Sequence, residues 1–591
     1  MKYVKPLHAF PVAAIIAAFL AVNAFPGFAE DAVWKGLDGD ALDDSANWSG
    51  GNPFYDAETN PDTPLCFNAA AKARIDDGLT AYQLKFGAKN ISLGFDLKGK
   101  TLALIGEPVA WHSNGGNAVA FTNGTVTSAT RFTFGTGTGL DFQAVTLTAN
   151  LYCAALNAWA KVGGGSKVTG YWGDYDQAKN VKLTVSGKGT VWDFNGNGFC
   201  IGGRGNANSF SNSVCITDYA VVTNIGTTCP VTGYSGLTIL GNGHLFELSN
   251  GARLYQETGL FQIGINSGNT PQSQYGPDKF RVLSGAKAFV RGIVVGRHGK
   301  GNLVEVAGKG SLLRVANAAS ADCAWGYQTG SSNNVLWVHD HGTVTNLSSD
   351  THIAGYFNDT QEPKLIVEDG SEFTCGNLSL GAYRAYRALI RVDDGSILKC
   401  KRFFIGTEGY ARTNTVWVGN DSQIVCSDYG YLNKGAASTL AISNGTFEVV
   451  NGKDFQIYAT NTVMLAGTKP MLDGYALGLS YPGVKIVFDM PAEGFTTESP
   501  LIRNRTTGQA LTLGTDITPV FANFEKFLNS DAEKKTITLV ESAYAISMSD
   551  EALAKWRAAL PEKGCTLALS SDKKKLLLTC KPARGLMIIL R

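Results

Sequence analysis

The sequence predicts an all-β protein: a parallel β-helix solenoid with an N-terminal β cap and a small C-terminal β-rich domain containing one helix. Three observations predict it. First, apolar-x-Val segments recur, each just upstream of Gly, Asn or Asp, with anchors at Val185, Ile216, Leu248, Val282, Val306, Val338, Val367, Val392, Val418 and Ile442. The anchors are 31, 32, 34, 24, 32, 29, 25, 26 and 24 residues apart, the range of a solenoid or array. Second, one interval holds three short β segments: Leu365-Ile-Val, Phe373-Thr-Cys and Leu378-Ser-Leu-Gly, separated by tight turns. The next two intervals repeat this, with apolar alternation and no helical spacing. A propeller blade needs about 40 residues and a leucine-rich repeat its Leu-x-x-Leu-x-Leu frame, and neither fits. Third, glycine is in excess, 69 of 591 residues, with no Gly-X-Y period and 18 Pro, which excludes collagen and favours turn-rich β structure.

In chain order, residues 1–29 read as a secretory signal: basic Lys2 and Lys5, an apolar stretch from Ala9 to Phe25, and small residues Gly27 and Ala29 before the cleavage point. No later segment is apolar enough to cross a bilayer, so the expected location is secreted or cell surface, outside the cytoplasmic membrane, with no transmembrane segment after cleavage. The whole chain has 51 Lys+Arg against 50 Asp+Glu. Losing the two signal lysines leaves 49 against 50, which argues against nucleic-acid binding.

Residues 30–110 form the expected cap, since an open β-helix exposes sheet edges at its ends. The solenoid is expected over 111–483. Within it Cys375, Cys400 and Cys426 each fall eight residues after their anchor and Phe373, Leu398 and Ile424 six after, two apolar columns stacked at strand spacing. Asn212, Asn302, Asn334 and Asn414 each precede an anchor by four, where Asn is expected to take left-handed backbone angles and bond to the adjacent rung.

Residues 484–591 form the terminal domain. Ser549 is expected to cap a helix from Asp550 to Leu560, with acids in the first turn, Leu553, Trp556 and Leu560 on one face, and Pro561 after it. Eleven cysteines lie beyond the signal, an odd number that leaves at least one unpaired or paired to another chain. Cys565 and Cys580 face each other in a symmetric hairpin around Asp572-Lys573, within disulfide reach. A last apolar strand is expected at Leu586–Leu590.

The Trp34-Lys-Gly and Asn47-Trp-Ser-Gly-Gly-Asn-Pro53 opening, the Gly/Asn-punctuated repeats and the terminal domain together resemble bacterial autotransporter-like, passenger-type β-helix proteins. The resemblance implies a surface or secreted scaffold and transfers no catalytic residue. The chain departs from true autotransporters: about 110 residues after Val484, with a helix among them, cannot supply a large outer-membrane barrel.

Candidate chemistry is sparse. Asp393-Asp394-Gly395 could supply a carboxylate pair to a polysaccharide hydrolase. It occupies a recurring turn, with Glu368-Asp369-Gly370 one interval earlier and Gly419-Asn420-Asp421 one later. Asp340, Asp369 and Asp394 could stack as calcium ligands, but Asn420 and Asn444 continue the column uncharged. His339-x-His341, with His352, could begin a zinc or copper site, and the cysteine column does not converge on an ion. Gly202–Gly205 and Gly296–Gly301 resemble phosphate loops by composition alone, since no helix follows. Exposed loop aromatics are expected at Tyr171, Trp172, Trp325, Tyr327, Tyr356, Phe357, Tyr383 and Tyr386, where flat rings could stack on sugar faces. The reading assigns no catalytic, cofactor-binding or metal-ligating residue. It expects a non-catalytic, adhesin-like scaffold contacting a glycan or surface polymer, against the alternative of a polysaccharide lyase or glycoside hydrolase on the same fold.

Overall fold

The computed structural model describes residues 31–580 apart from 51–52, 59–60, 114, 175–177, 203–208, 228–235, 257, 265–276, 297–298, 317–322, 327–330, 348–349, 354–359, 382–384, 407–412, 433–436, 480, 497, 525–534 and 562–563. The expected signal and the expected strand at 586–590 lie outside the described residues.

The chain is all-β, built from short strands in long parallel sheets, with an α-helix at Asp550–Ala558. Through the repeats, strands come in threes, and each pairs in parallel with its counterpart one interval later. For example, Leu303–Ala307, Leu312–Val315 and Cys323–Trp325 pair with Val335–His339, Thr343–Asn346 and Asp350–Ile353. The first strands of these triplets form one long stack, the second strands another, and the third strands a third.

The register follows the apolar period. All ten anchors align: Val185 faces Ile216, then Leu248, Val282, Val306, Val338, Val367, Val392, Val418 and Ile442, and every one is 0% exposed. Strand side chains alternate between faces, so one buried residue per strand per interval holds the register, because a one-residue slip would expose the whole column. The column runs on through Phe95, Phe121, Phe142 and Val162 before the first anchor, and through Leu465, Phe488 and Phe521 after the last. The cysteine column is also in register and buried. Burial holds the Cys375 thiol at about 12 and raises that of Cys400, so both are protonated and suited to packing rather than metal binding.

Two turn columns separate the strands. In one, Asp340, Asp369, Asp394, Asp421 and Asn444 have φ between 50 and 59°, and the amide after each of Asp340, Asp369 and Asp394 lies one turn from the next carbonyl: His341 N to Asp369 O 3.0 Å, Gly370 N to Asp394 O 2.9 Å, and Gly395 N to Asn420 O 2.9 Å are hydrogen bonds between repeats. In the other, the left-handed residue is not the expected Asn but the one before it: Ser211 (φ 56°), Gly301 (φ 68°), Asn333 (φ 53°) and Thr413 (φ 56°).

The expected asparagines instead turn inward, almost fully buried, because the corner leaves an inward amide that water cannot reach. Asn212 Oδ1 accepts from Val181 N at 3.0 Å, Asn334 Oδ1 from Asn302 N at 3.1 Å, and Asn414 Oδ1 from Ala388 N at 3.1 Å. Two titratable residues stand in the same ladder. His244 Nδ1 accepts from Asn212 N at 3.1 Å, Asp278 Oδ1 accepts from His244 N at 2.9 Å, and Asn302 Oδ1 accepts from Asp278 N at 3.1 Å. Both are 0% exposed.

In the terminal region the hairpin forms as expected, Cys565 facing Cys580 and Leu569 facing Leu576, with the two cysteines as free thiols whose sulfurs lie 2.6 Å apart. Ser549 Oγ accepts from Ala552 N at 3.1 Å, and Trp556 packs 6.1 Å from Phe488. The helix ends at Ala558, short of Leu560, because its last turn tightens: Leu560 N donates to Arg557 O at 3.1 Å. Among the described residues no helix is long and apolar enough to cross a membrane.

Candidate functional site

The outward faces of the stacks carry the chemistry. On the first stack, the residues just before the buried anchors form the column Glu247, Arg281, Glu305, Trp337, Ile366, Arg391 and Trp417, in register on successive strands. His339, Glu368, Asp393 and Gly419 follow their anchors on the same face.

These groups interlock. Arg281 donates to Glu305 from Nε (2.8 Å) and Nη2 (3.3 Å) and to Glu247 from Nη1 (3.0 Å). Glu305, its side chain 8% exposed, also lies 3.1 Å from His339 Nε2. The His339 ring stacks on Trp337 with centroids 3.8 Å apart, and Trp337 Nε1 donates to Glu368 at 2.8 Å. Arg391 pairs with Asp393 at 2.9 Å and reaches Glu368 at 3.9 Å. Gly419 is required here, because a Cβ would come within 2.1 Å of Asp393 Oδ1 and 2.8 Å of Trp417 Nε1. Burial pushes the Glu305 carboxyl up, but the bonds from Arg281 and His339 outweigh it and hold it below its usual range. Its partners thus favour the ionised form of Glu305.

An aromatic run lies along the third stack: Phe404 and Tyr431 are in register on its strands, and Tyr458 and Tyr481 follow the strands that end at Ile457 and Gly478. Phe404 and Tyr431 lie 4.9 Å apart between ring centroids, Tyr431 and Tyr458 5.9 Å, and Tyr458 and Tyr481 4.6 Å. All four are half-buried. Tyr429 flanks Phe404 at 5.6 Å with Arg402 over its ring at 4.6 Å, and Arg402 is anchored by Asp428 at 3.1 Å.

Several expected sites are redistributed. Trp172 and Trp325 are not loop aromatics: each sits in a strand of the third stack and is 1% exposed. That strand runs on to these residues, and its alternation turns them inward. Tyr171 is half-buried against the core, and Tyr386 lies in the short strand Ala385–Tyr386, paired with Thr360–Gln361. Tyr327, Tyr356, Phe357 and Tyr383 lie outside the described residues. His339 and His341 do not share a strand face, since the strand ends at His339 and His341 follows in a left-handed turn at φ 62°. His352 lies in the strand Asp350–Ile353, and no group of three metal-binding side chains converges among the described residues. Asp393 and Asp394 also separate, Asp393 onto the ion-paired outer face and Asp394 into the turn at φ 52°. Gly202 and Gly296 follow the strands Phe199–Ile201 and Ile293–Val295 at φ 83° and 71°.

The first outward run was within reach of the sequence, since it occupies the residues on either side of the anchors, and extending the alignment by one residue would have revealed it. The aromatic run was not, because Phe404, Tyr431 and Tyr458 fall at uneven distances after Val392, Val418 and Ile442. No family model, curated protein or solved structure matches the chain.

Proposed function

We propose that the protein is a secreted or cell-surface parallel β-helix of the autotransporter-like, passenger type, capped at its N-terminus, that contacts glycans without cleaving them. Strand triplets pairing one interval apart, with inward apolar columns in register, support the solenoid. The observation that carries the function is the aromatic run Phe404–Tyr431–Tyr458–Tyr481, with neighbouring rings 4.6–5.9 Å apart. Half-exposed rings, two on paired strands and two just past strand ends, offer faces on which sugars can stack. Glu305, Glu368 and Asp393 are engaged with Arg281, His339, Trp337 and Arg391, which favours a structural role for this acidic face over a catalytic carboxylate pair.

A glycan array with reducing-end release measured on the hits tests this reading. Binding without release, weakened about tenfold or more by Tyr431→Ala with Tyr458→Ala, is the expected result. Release of reducing ends would establish the enzyme instead, and no binding would sink the glycan reading.

A further inference from the structure

We propose a second site, near the start of the first stack, that binds an acidic polysaccharide, with Trp159 as its stacking platform and, as its cations, Lys161 and Lys182 of its lining together with Lys179, the residue before Asn180. The proposal rests on the glycan-contacting reading, but it concerns a separate place and adds the charge of the ligand.

An open trough of about 630 Å³ is lined by Asn157, Trp159, Lys161, Asn180, Lys182 and Ser211. Its floor depends on Gly139, which pairs in register with Trp159. A Cβ on Gly139 would come within 2.0 Å of the indole, so the ring rests on bare backbone that only glycine leaves open. Lys161 Nζ lies 5.1 Å above the Trp159 ring, and Lys179 Nζ lies 4.9 Å above Phe210, itself 37% exposed. A ring face orients an ammonium without neutralising it.

The charge is the second observation. None of the three lysines joins an ion pair among the described residues, whereas further along the same face Arg281 and Arg391 are each held by two carboxylates. Asp141, in register with Lys161, instead accepts from Gln143 Nε2 at 2.6 Å. At the rim, Asn180 Nδ2 donates to Asn157 Oδ1 at 3.1 Å, which leaves Asn157 Nδ2 and Asn180 Oδ1 for sugar hydroxyls. An indole, two amides and unneutralised lysines match a pyranose face, its hydroxyls and a carboxylate or sulfate.

The test is affinity electrophoresis of the exported chain against polygalacturonate, dextran sulfate and neutral dextran, at about 50 and about 500 mM salt. Retardation by either acidic polymer, lost at high salt, is expected, and the polymer that retards it shows whether carboxylate or sulfate is recognised. Trp159→Ala and the combined Lys161→Ala, Lys179→Ala and Lys182→Ala variant should each weaken binding about tenfold, with circular dichroism unchanged. The combined Lys279→Ala, Lys309→Ala and Lys485→Ala variant, which removes the same charge elsewhere, should not. The proposal is overturned if that control weakens binding as much, if neutral dextran binds as tightly, or if neither acidic polymer binds. Retardation by the acidic polymers that is unmoved by the trough variants defeats the proposal, and array binding abolished by the Tyr431 and Tyr458 changes then leaves the general reading standing. The reverse pattern supports the trough and moves glycan contact away from the aromatic run.

Discussion

Asp278 and His244 stand in a ladder whose other members include Asn212, Asn302 and Asn334, and together they make the stability of these repeats depend on pH in a defined way. Burial pushes the Asp278 carboxyl up to about 7, its bonds from the His244, Gly241 and Gly243 backbone offsetting part of the effect. Burial likewise lowers the His244 imidazole to about 4, the Leu240 and Asn212 backbone opposing it. For Asp278, the unfolded chain releases a proton above pH 3.8 that the folded chain keeps until about 7, so its contribution is lost as pH rises across that window. For His244, the unfolded chain takes up a proton below 6.5 that the folded chain refuses until about 4, so stability is lost as pH falls. At 1.36 kcal/mol per pKa unit, the aspartate effect is about 4 kcal/mol and the histidine effect about 3 kcal/mol. Over the shared window the two slopes oppose each other and nearly cancel.

Asp278→Asn supplies an amide in place of the buried acid and removes one slope. Relative to the wild type it should gain about 4 kcal/mol above pH 7 and close to nothing near pH 4. His244→Asn should show the mirror pattern, gaining at low pH, and the double variant should be nearly flat. Urea unfolding of the four proteins between pH 4 and 7.5, each variant compared with the wild type at the same pH, cancels every other titrating group. Hydrogen exchange at the Asn212, His244 and Asp278 amides follows the same opening locally. A gain from Asp278→Asn that is equal at both ends of the range would refute the reasoning.

Exported protein should carry a Cys565–Cys580 disulfide, so alkylation before reduction should leave both residues unlabelled and alkylation after reduction should add one label to each; closing this hairpin loop contributes about 3 kcal/mol, lost on Cys580→Ser. Asn334→Ala takes the partner from the Asn302 backbone amide and from Asn302 Nδ2 and should cost about 1–3 kcal/mol per buried group by denaturant titration. Asn333→Gly, at the left-handed position itself, should cost little, and an equal loss from both would contradict the division of roles. Gly419→Ala should destabilise by about 1–3 kcal/mol and shift Trp417 fluorescence, because the added methyl meets Asp393 and Trp417.

The inward half of the molecule was legible because burial imposes the same demand at every repeat. From Val185 to Ile442 the anchor position must be apolar, so its spacing alone recovers the register, and the Cys375, Cys400 and Cys426 column follows by the same logic. The Cys565 hairpin and the Ser549 cap were legible because both are local, set by turn symmetry and by a hydroxyl three residues from the amide it accepts. Trp172 and Trp325 were misplaced because spacing does not fix where a corner ends and the next strand begins, and one residue decides whether an indole faces core or solvent.

The sequence by itself determined an all-β repeat, its inward columns and the turn at Asp340, Asp369 and Asp394, since these repeat one local requirement, but it put the other turn one residue late, at the asparagines that point inward. Only the tertiary structure decided what the outward residues do. Glu305 meets Arg281 and His339, Trp159 rests on Gly139, and Asp278 enters an asparagine ladder through partners 20 to 34 residues away in sequence. Their charge state and exposure come from these lateral neighbours on adjacent strands, and no burial requirement imposes a common residue type there for a sequence pattern to display.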